Sequence, residues 1–165
     1  MTVFNLGYTA PINRPGQSPI LTSEQVWAGL QRKVRHGDEF VPLIVKCEVE
    51  SEKRSDEGNV TVTRHVTFRM PGADKDTDPL REVCVEFPPC RVDFLQPDGS
   101  KIANYISRGP TLEPEDLFMT YIFEWRKPDI VEGSEEARKQ EDEHKRVAVE
   151  SSIETIRKLV SEGKL

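Results

Sequence analysis

Leu117-Phe118-Met119-Thr120-Tyr121-Ile122-Phe123-Glu124-Trp125-Arg126 is the stretch whose reading decides the fold. Side chains alternate across a β-strand, so the odd positions Leu117, Met119, Tyr121, Phe123 and Trp125 form one unbroken apolar and aromatic face. The even positions include Thr120, Glu124 and Arg126, which suit water. Such a segment predicts a strand with its odd face turned inward.

Upstream the same period-two pattern recurs over about Ile44 to Lys53, Asn59 to Met70, Leu80 to Phe87, Arg91 to Gln96 and Lys101 to Arg108, and Asp116 to Arg126 completes the set. Asp56-Glu57-Gly58-Asn59, Pro88-Pro89 and Pro97-Asp98-Gly99-Ser100 supply turns between them. The loops 71–79 and 109–115 are acidic and proline-bearing, hence solvated. Ahead of this meander, Thr2 to Ile12 is rich in β-formers and leads into a loop with Pro15, Gly16 and Pro19. Thr22 and Gln25 stand at capping-box spacing before Val26, Trp27, Leu30 and Val34, which predicts a helix from about Ser23 to His36 ended by Gly37. A short helical turn over 38–42 follows.

At the other end, past Pro128 and a cap at Ser134, the chain runs to Lys164 without internal proline and with no glycine before Gly163. One long helix is expected there. Val149, Ile153, Ile156 and Val160 form an apolar stripe along its second half, whereas 135–146 is charged nearly all round and reads as a solvated face. A sheet with one apolar face needs a partner, and that stripe is the largest one left. The expected fold is therefore α+β, a helix-grip arrangement in which a curved antiparallel sheet of about seven strands wraps a long C-terminal helix, in the order β-α-α-β6-α, as one domain over 1–165. A lipocalin-like closed barrel would need more strands and no helix seated on its concave face.

Parity assigns the inward faces: Val60, Val62, Val66 and Phe68 share a side, as do Val83, Val85 and Phe87, then Val92 and Phe94, then Ile102, Asn104 and Ile106, and Val45, Cys47 and Val49. Arg64 falls among the first group. A guanidinium buried without partners costs several kcal/mol, so Arg64 should meet a carboxylate, carbonyls, water or an anionic ligand group. Two readings stand open: a paired arginine tying strands together, or a ligand contact. Asn104 is either a satisfied core amide or a pocket donor. The candidate pocket lining is Val62, Val85, Phe94, Ile106, Tyr121, Phe123, Trp125, Ile153 and Ile156, with Met119, Tyr121 and Phe123 facing Ile153 and Ile156 across a hollow interior. Arg64 and Tyr121 are the candidate catalytic groups. His36, His65 and His144 read as exposed, and Cys47 as an inert thiol.

Composition narrows the function. Residues are 36% hydrophobic and 32% charged, and no apolar run approaches the ~20 needed to span a bilayer, so no membrane insertion is expected. The N-terminus lacks a basic stretch followed by an apolar block, which points to the cytoplasm. A net charge of -6 opposes phosphate contact, and nucleic acid is not expected as a partner. Three cysteines without a Cys-x-x-Cys pair, and no histidine at ligand spacing, suggest neither a disulfide framework nor a metal site. No phosphate loop, nucleophile elbow or paired-acid motif occurs, and no cofactor is implied.

Phe4-Asn5-Leu6, Tyr8-Thr9-Ala10-Pro11-Ile12-Asn13 and Gln25-Val26-Trp27-Ala28-Gly29-Leu30 resemble the AtaL-like family. So do Val62-Thr63-Arg64, Arg91-Val92-Asp93-Phe94, Asn104-Tyr105-Ile106-Ser107 and Tyr121-Ile122-Phe123-Glu124-Trp125-Arg126. The resemblance spans nearly the whole chain and implies a branch of the START and Bet v 1 superfamily, also called SRPBCC. Members of that superfamily bind lipids, sterols and polyketides or act as aromatase-cyclases, and some of this branch lie in fungal secondary-metabolite clusters. The expectation is a protein that holds a small hydrophobic metabolite in an internal cavity. The alternatives are a cyclase or dehydratase acting on a polyketide-like substrate in that cavity, and a scaffold whose charged helical half binds a partner protein.

Overall fold

The computed structural model describes residues 3–126, 131 and 133–165, and omits the side chains of 140, 141 and 143–145. Thr2 and Pro128, read above as a strand start and a break before the last helix, lie outside the described residues, as does the side chain of His144.

The elements are β1 (Val3–Pro11), α1 (Ser23–Arg35), a 3-10 turn (Gly37–Glu39), β2 (Ile44–Arg54), β3 (Val60–Phe68), β4 (Leu80–Phe87), β5 (Arg91–Leu95), β6 (Lys101–Arg108), β7 (Leu117–Arg126) and α2 (Glu135–Ser161). The seven strands make one antiparallel sheet in the order β1-β7-β6-β5-β4-β3-β2. The expected helix-grip fold is thus the observed one. Strands β2 to β7 follow the meander because short turns join neighbours, while β1 closes on the last strand, with Tyr8 opposite Tyr121 and Leu6 opposite Phe123. The capping box opens α1: Thr22 Oγ1 accepts from the Gln25 amide at 3.2 Å, and the Thr22 amide donates to Gln25 Oε1 at 3.0 Å.

Leu117, Met119, Tyr121 and Phe123 are all buried, as the odd-face reading required, and they share one core with Val149, Ile153 and Ile156 of α2. Helix α2 lies against β1, β7 and α1. At Gly29 of α1 an added Cβ would come within 2.5 Å of the Ile156 side chain. Only a residue without a side chain lets the two helices meet this closely.

Two inward assignments are corrected. In β4 the buried residues are Glu82, Cys84 and Glu86, while Val83, Val85 and Phe87 are half-buried on the opposite face. Register explains it: Cys84 pairs with Val62 and Phe94, and Glu82 with Arg64, all on the concave face. Val85, paired with Thr61 and Asp93, therefore cannot line the interior. In β2 the pairing is irregular between Ile44 and Lys46 and again between Val49 and Ser51. The first bulge skips Val45, so Ile44 is buried and Val45 exposed, whereas Cys47 and Val49, opposite Val66 and Arg64, keep the inward register, Val49 being exposed because β2 is the edge strand.

Candidate functional site

The inward polar groups converge near the end of α1. Lys33 lies seven residues after Val26 and three after Leu30, on the apolar face of α1, and is buried. Its ammonium donates to Tyr121 Oη at 2.9 Å and to Asn104 Oδ1 at 3.1 Å. Asn104 and Tyr121 are cross-strand neighbours on β6 and β7, so sheet register alone places both acceptors side by side. Lys33 Nζ also stands 4.3 Å from the Tyr121 ring centroid and 5.5 Å from that of Phe94. From α2, the buried Ser152 hydroxyl donates to the Ala148 carbonyl of its own helix at 2.9 Å.

Electrostatics here are unbalanced. No carboxylate among the described residues lies within ion-pair distance of Nζ. Burial, and then the nearby Arg64 charge, lower the Lys33 ammonium from 10.5 to about 7, so the amine is largely uncharged just above neutrality. Burial raises the Tyr121 phenol well above its ordinary value and keeps it protonated. The side-chain Nδ2 of Asn104, on a residue with no exposed surface, has no hydrogen-bond partner. Buried amide N–H groups are normally paired, which makes this one an unfilled donor beside Lys33 and Tyr121.

Arg64 resolves differently. Its Nε and Nη2 donate to Glu82 Oε2 at 2.9 and 2.7 Å, and its Nη1 donates to the carbonyls of Lys33 and Val34, each at 2.9 Å. Those carbonyls belong to the last turn of α1 and lack partners within the helix, so a cation there satisfies both their lone pairs and the helix dipole. Gly37 makes room, since a Cβ there would stand 3.0 Å from Arg64 Nη1. Gln96 Nε2 completes the set by donating to Glu82 Oε1 at 3.0 Å. Of the two readings left open, the paired arginine is the one the geometry fits. A second buried carboxylate, Glu86, accepts from Arg35 Nη1 at 2.6 Å and from Gln31 Nε2 at 3.3 Å.

Of the remaining sequence candidates, Val62, Phe94, Ile106, Phe123, Ile153 and Ile156 are buried on the inward side, and Phe94 carries the Arg64 guanidinium 5.1 Å from its ring centroid. Trp125 is half-buried at the end of β7 against Phe123, with ring centroids 5.0 Å apart. Val85 points away, as described. His36 is exposed, and His65 sits on the outer face bonded to Glu50. Cys47 is half-buried and Cys84 is buried, its thiol pushed up to about 12 chiefly by desolvation. Sequence reading missed Lys33, Glu82 and Glu86. The spacing of Lys33 from Val26 and Leu30 was available as a signal; the two carboxylates gave none until register was known.

An open antiparallel sheet gripping a C-terminal helix is the Bet v 1-like, helix-grip fold. Within it the chain belongs to the AtaL family, described as acetylaranotin biosynthesis cluster protein L, whose pattern matches residues 6–163. It is 28% identical to the protein of that description from Aspergillus terreus (strain NIH 2624 / FGSC A1156), over 98% of this chain and 93% of the relative. Among solved structures, the Zhui aromatase/cyclase from Streptomyces sp. R1128 superposes with a TM-score of 0.59 at 16% identity, over 99% of this chain and 100% of the other. The di-domain ARO/CYC BexL from the BE-7585A biosynthetic pathway gives a TM-score of 0.60 at 12% identity, over 94% of this chain, which spans 49% of that structure. Ara h 8.0201 gives 0.55 at 9% identity, over 94% of this chain and 97% of the other. At these identities the likeness is one of fold. No helix of the described residues is long and apolar enough to cross a membrane.

Proposed function

We propose that the protein binds a small, largely apolar metabolite bearing a carbonyl or hydroxyl oxygen, a polyketide-like compound above all, between the concave face and α2, and that it serves secondary metabolism. The observation that carries this reading is the unpartnered Asn104 Nδ2, buried beside the Lys33 amine and the Tyr121 hydroxyl. An oxygen atom placed there gains a hydrogen bond that the protein by itself leaves unmade, and the apolar surroundings suit the rest of the molecule. The family's link to a biosynthesis cluster and the aromatase/cyclase neighbours agree with it in kind. Arg64 acts as a positioning residue, holding the carbonyls of Lys33 and Val34 and so fixing where the amine stands.

The test is native mass spectrometry of freshly purified protein, followed by thermal shift with polyketides, sterols and fatty acids. At least one class should raise Tm, and Asn104→Leu should remove the shift given by oxygen-bearing ligands. Silence across the whole panel overturns the reading.

A second reading is favoured by one pair of groups. Lys33, poised as a base near neutral pH, and the Tyr121 hydroxyl, a proton donor 2.9 Å away, are matched for cyclisation or dehydration of a bound polyketide-like carbonyl compound. Lys33→Met and Tyr121→Phe should then abolish turnover with the circular dichroism spectrum unchanged. Product formation at wild-type rate in both variants removes it.

A further inference from the structure

We propose that Lys33 is a covalent site: its Nζ forms an imine with an aldehyde or ketone ligand held between the sheet and α2. This deepens the binding reading above and rests on it. Several observations meet at this one atom. Lys33 is one of the chain's ten lysines, and the side chain is buried, with two neutral acceptors and no carboxylate partner among the described residues. An ion-paired lysine is a point charge; one denied a counter-ion in an apolar setting is an amine, and desolvated lysines of this kind are the ones that attack carbonyl carbon. The low basicity of Lys33 agrees with the geometry. Independently, Asn104 Nδ2 lies unpartnered beside the amine, a donor for the oxygen that must develop charge when nitrogen adds.

The chemistry balances without a co-reactant. The Nζ lone pair forms the C–N bond, and the carbonyl π pair moves to oxygen, which faces the Asn104 amide N–H and takes its proton from the attacking nitrogen by way of the Tyr121 hydroxyl. The resulting carbinolamine loses its C–O bond, the oxygen leaves as water with the second nitrogen proton, and a C=N bond remains. No oxidation or reduction is involved. The imine withdraws electrons from the neighbouring carbon, so a ligand bearing α-hydrogens becomes a carbon nucleophile while bound.

The test uses the full chain with 2-naphthaldehyde and sodium cyanoborohydride at pH 7, and 2-naphthalenemethanol as an analogue that binds but cannot form an imine. Intact mass and peptide mapping locate the reduced adduct; thermal shift with the alcohol reads binding alone. The expected result is a Tm rise with the alcohol, and a single adduct at Lys33 exceeding the mean surface lysine by about tenfold or more, because an ordinary lysine is almost wholly protonated at this pH. Raising the pH to 10 should shrink that excess as surface amines lose their protons. Lys33→Arg and Lys33→Met should each lose the adduct. A Tm rise with the alcohol but adducts only on surface lysines overturns the imine and leaves the binding reading standing. No Tm rise and no adduct at Lys33 overturns the imine and counts against both.

Discussion

The concave face has two halves that are held by different forces. Beside α2, strands β1 and β7 present Leu6, Tyr8, Leu117, Met119, Tyr121 and Phe123 to Val149, Ile153 and Ile156. Burial there is non-directional, at roughly 1.5–3 kcal/mol for each large side chain taken from water. Beneath the end of α1, β3 and β4 instead present Arg64, Glu82 and Glu86 among Val62, Val66 and Cys84. That half is directional: each charge has a partner within 3 Å, and the geometry leaves little freedom. Lys33, Asn104 and Tyr121 sit on the seam, where neither scheme is complete. The amine without a counter-ion and the unfilled amide donor thus lie between two satisfied regions.

The largest effect expected separates the seam from both halves. The folded value for Lys33, about 7, lies below its ordinary 10.5, so between those values the unfolded chain holds the proton more tightly and raising the pH favours the folded state. Below pH 7 both states are protonated and the whole cost is felt, roughly 4–5 kcal/mol for a shift of this size. Urea unfolding from pH 6 to 10 should show stability climbing through this window, and Lys33→Met should raise stability at pH 7 and flatten the climb. A wild-type curve as flat as that of the variant would mean the amine is solvated.

Next comes the ionic half. Glu82→Ala leaves the Arg64 charge buried beside Phe94 and should cost about 3–5 kcal/mol, whereas Arg64→Met with Glu82→Leu should fall far short of that cost. Equal losses in the single and double variants would show the pair to be no pair. The aromatic half is tested at Gly29→Ala. In an exposed helix that change stabilises, but against Ile156 it should cost about 1–3 kcal/mol, and Ile156→Val should recover part of it. The smallest effect belongs to the rim, where Glu150 takes Arg14 at 2.8 Å and Tyr8 at 3.3 Å. Glu150→Gln should lower stability by less than about 1 kcal/mol, with the loss fading at high salt.

The two halves were not equally legible. Strand β7 announced its inward face because five alternating large apolar residues admit one reading, and the stripe of α2 did the same at helical spacing. Strand β4 misled for a physical reason: hydrophobic parity assumes that carboxylates seek water, and Glu82 and Glu86 satisfy themselves on Arg64 and Arg35 instead. Arg64 and Asn104 were legible as buried polar groups, yet their partners lie on elements distant in sequence, Lys33 being 71 residues from Asn104 and 88 from Tyr121. In strand β2 Cys47 and Val49 keep the inward register and only Val45 was misread, because a bulge on an edge strand leaves no mark in the alternation itself.

Periodicity, capping and turn chemistry are local, and by themselves they determined the elements, their order and the helix-grip class. Pairing across the sheet and the docking of α1 decided which charges neutralise one another and which amine is left without a counter-ion. That outcome depends on distances between residues far apart in the chain, and no local pattern encodes such distances.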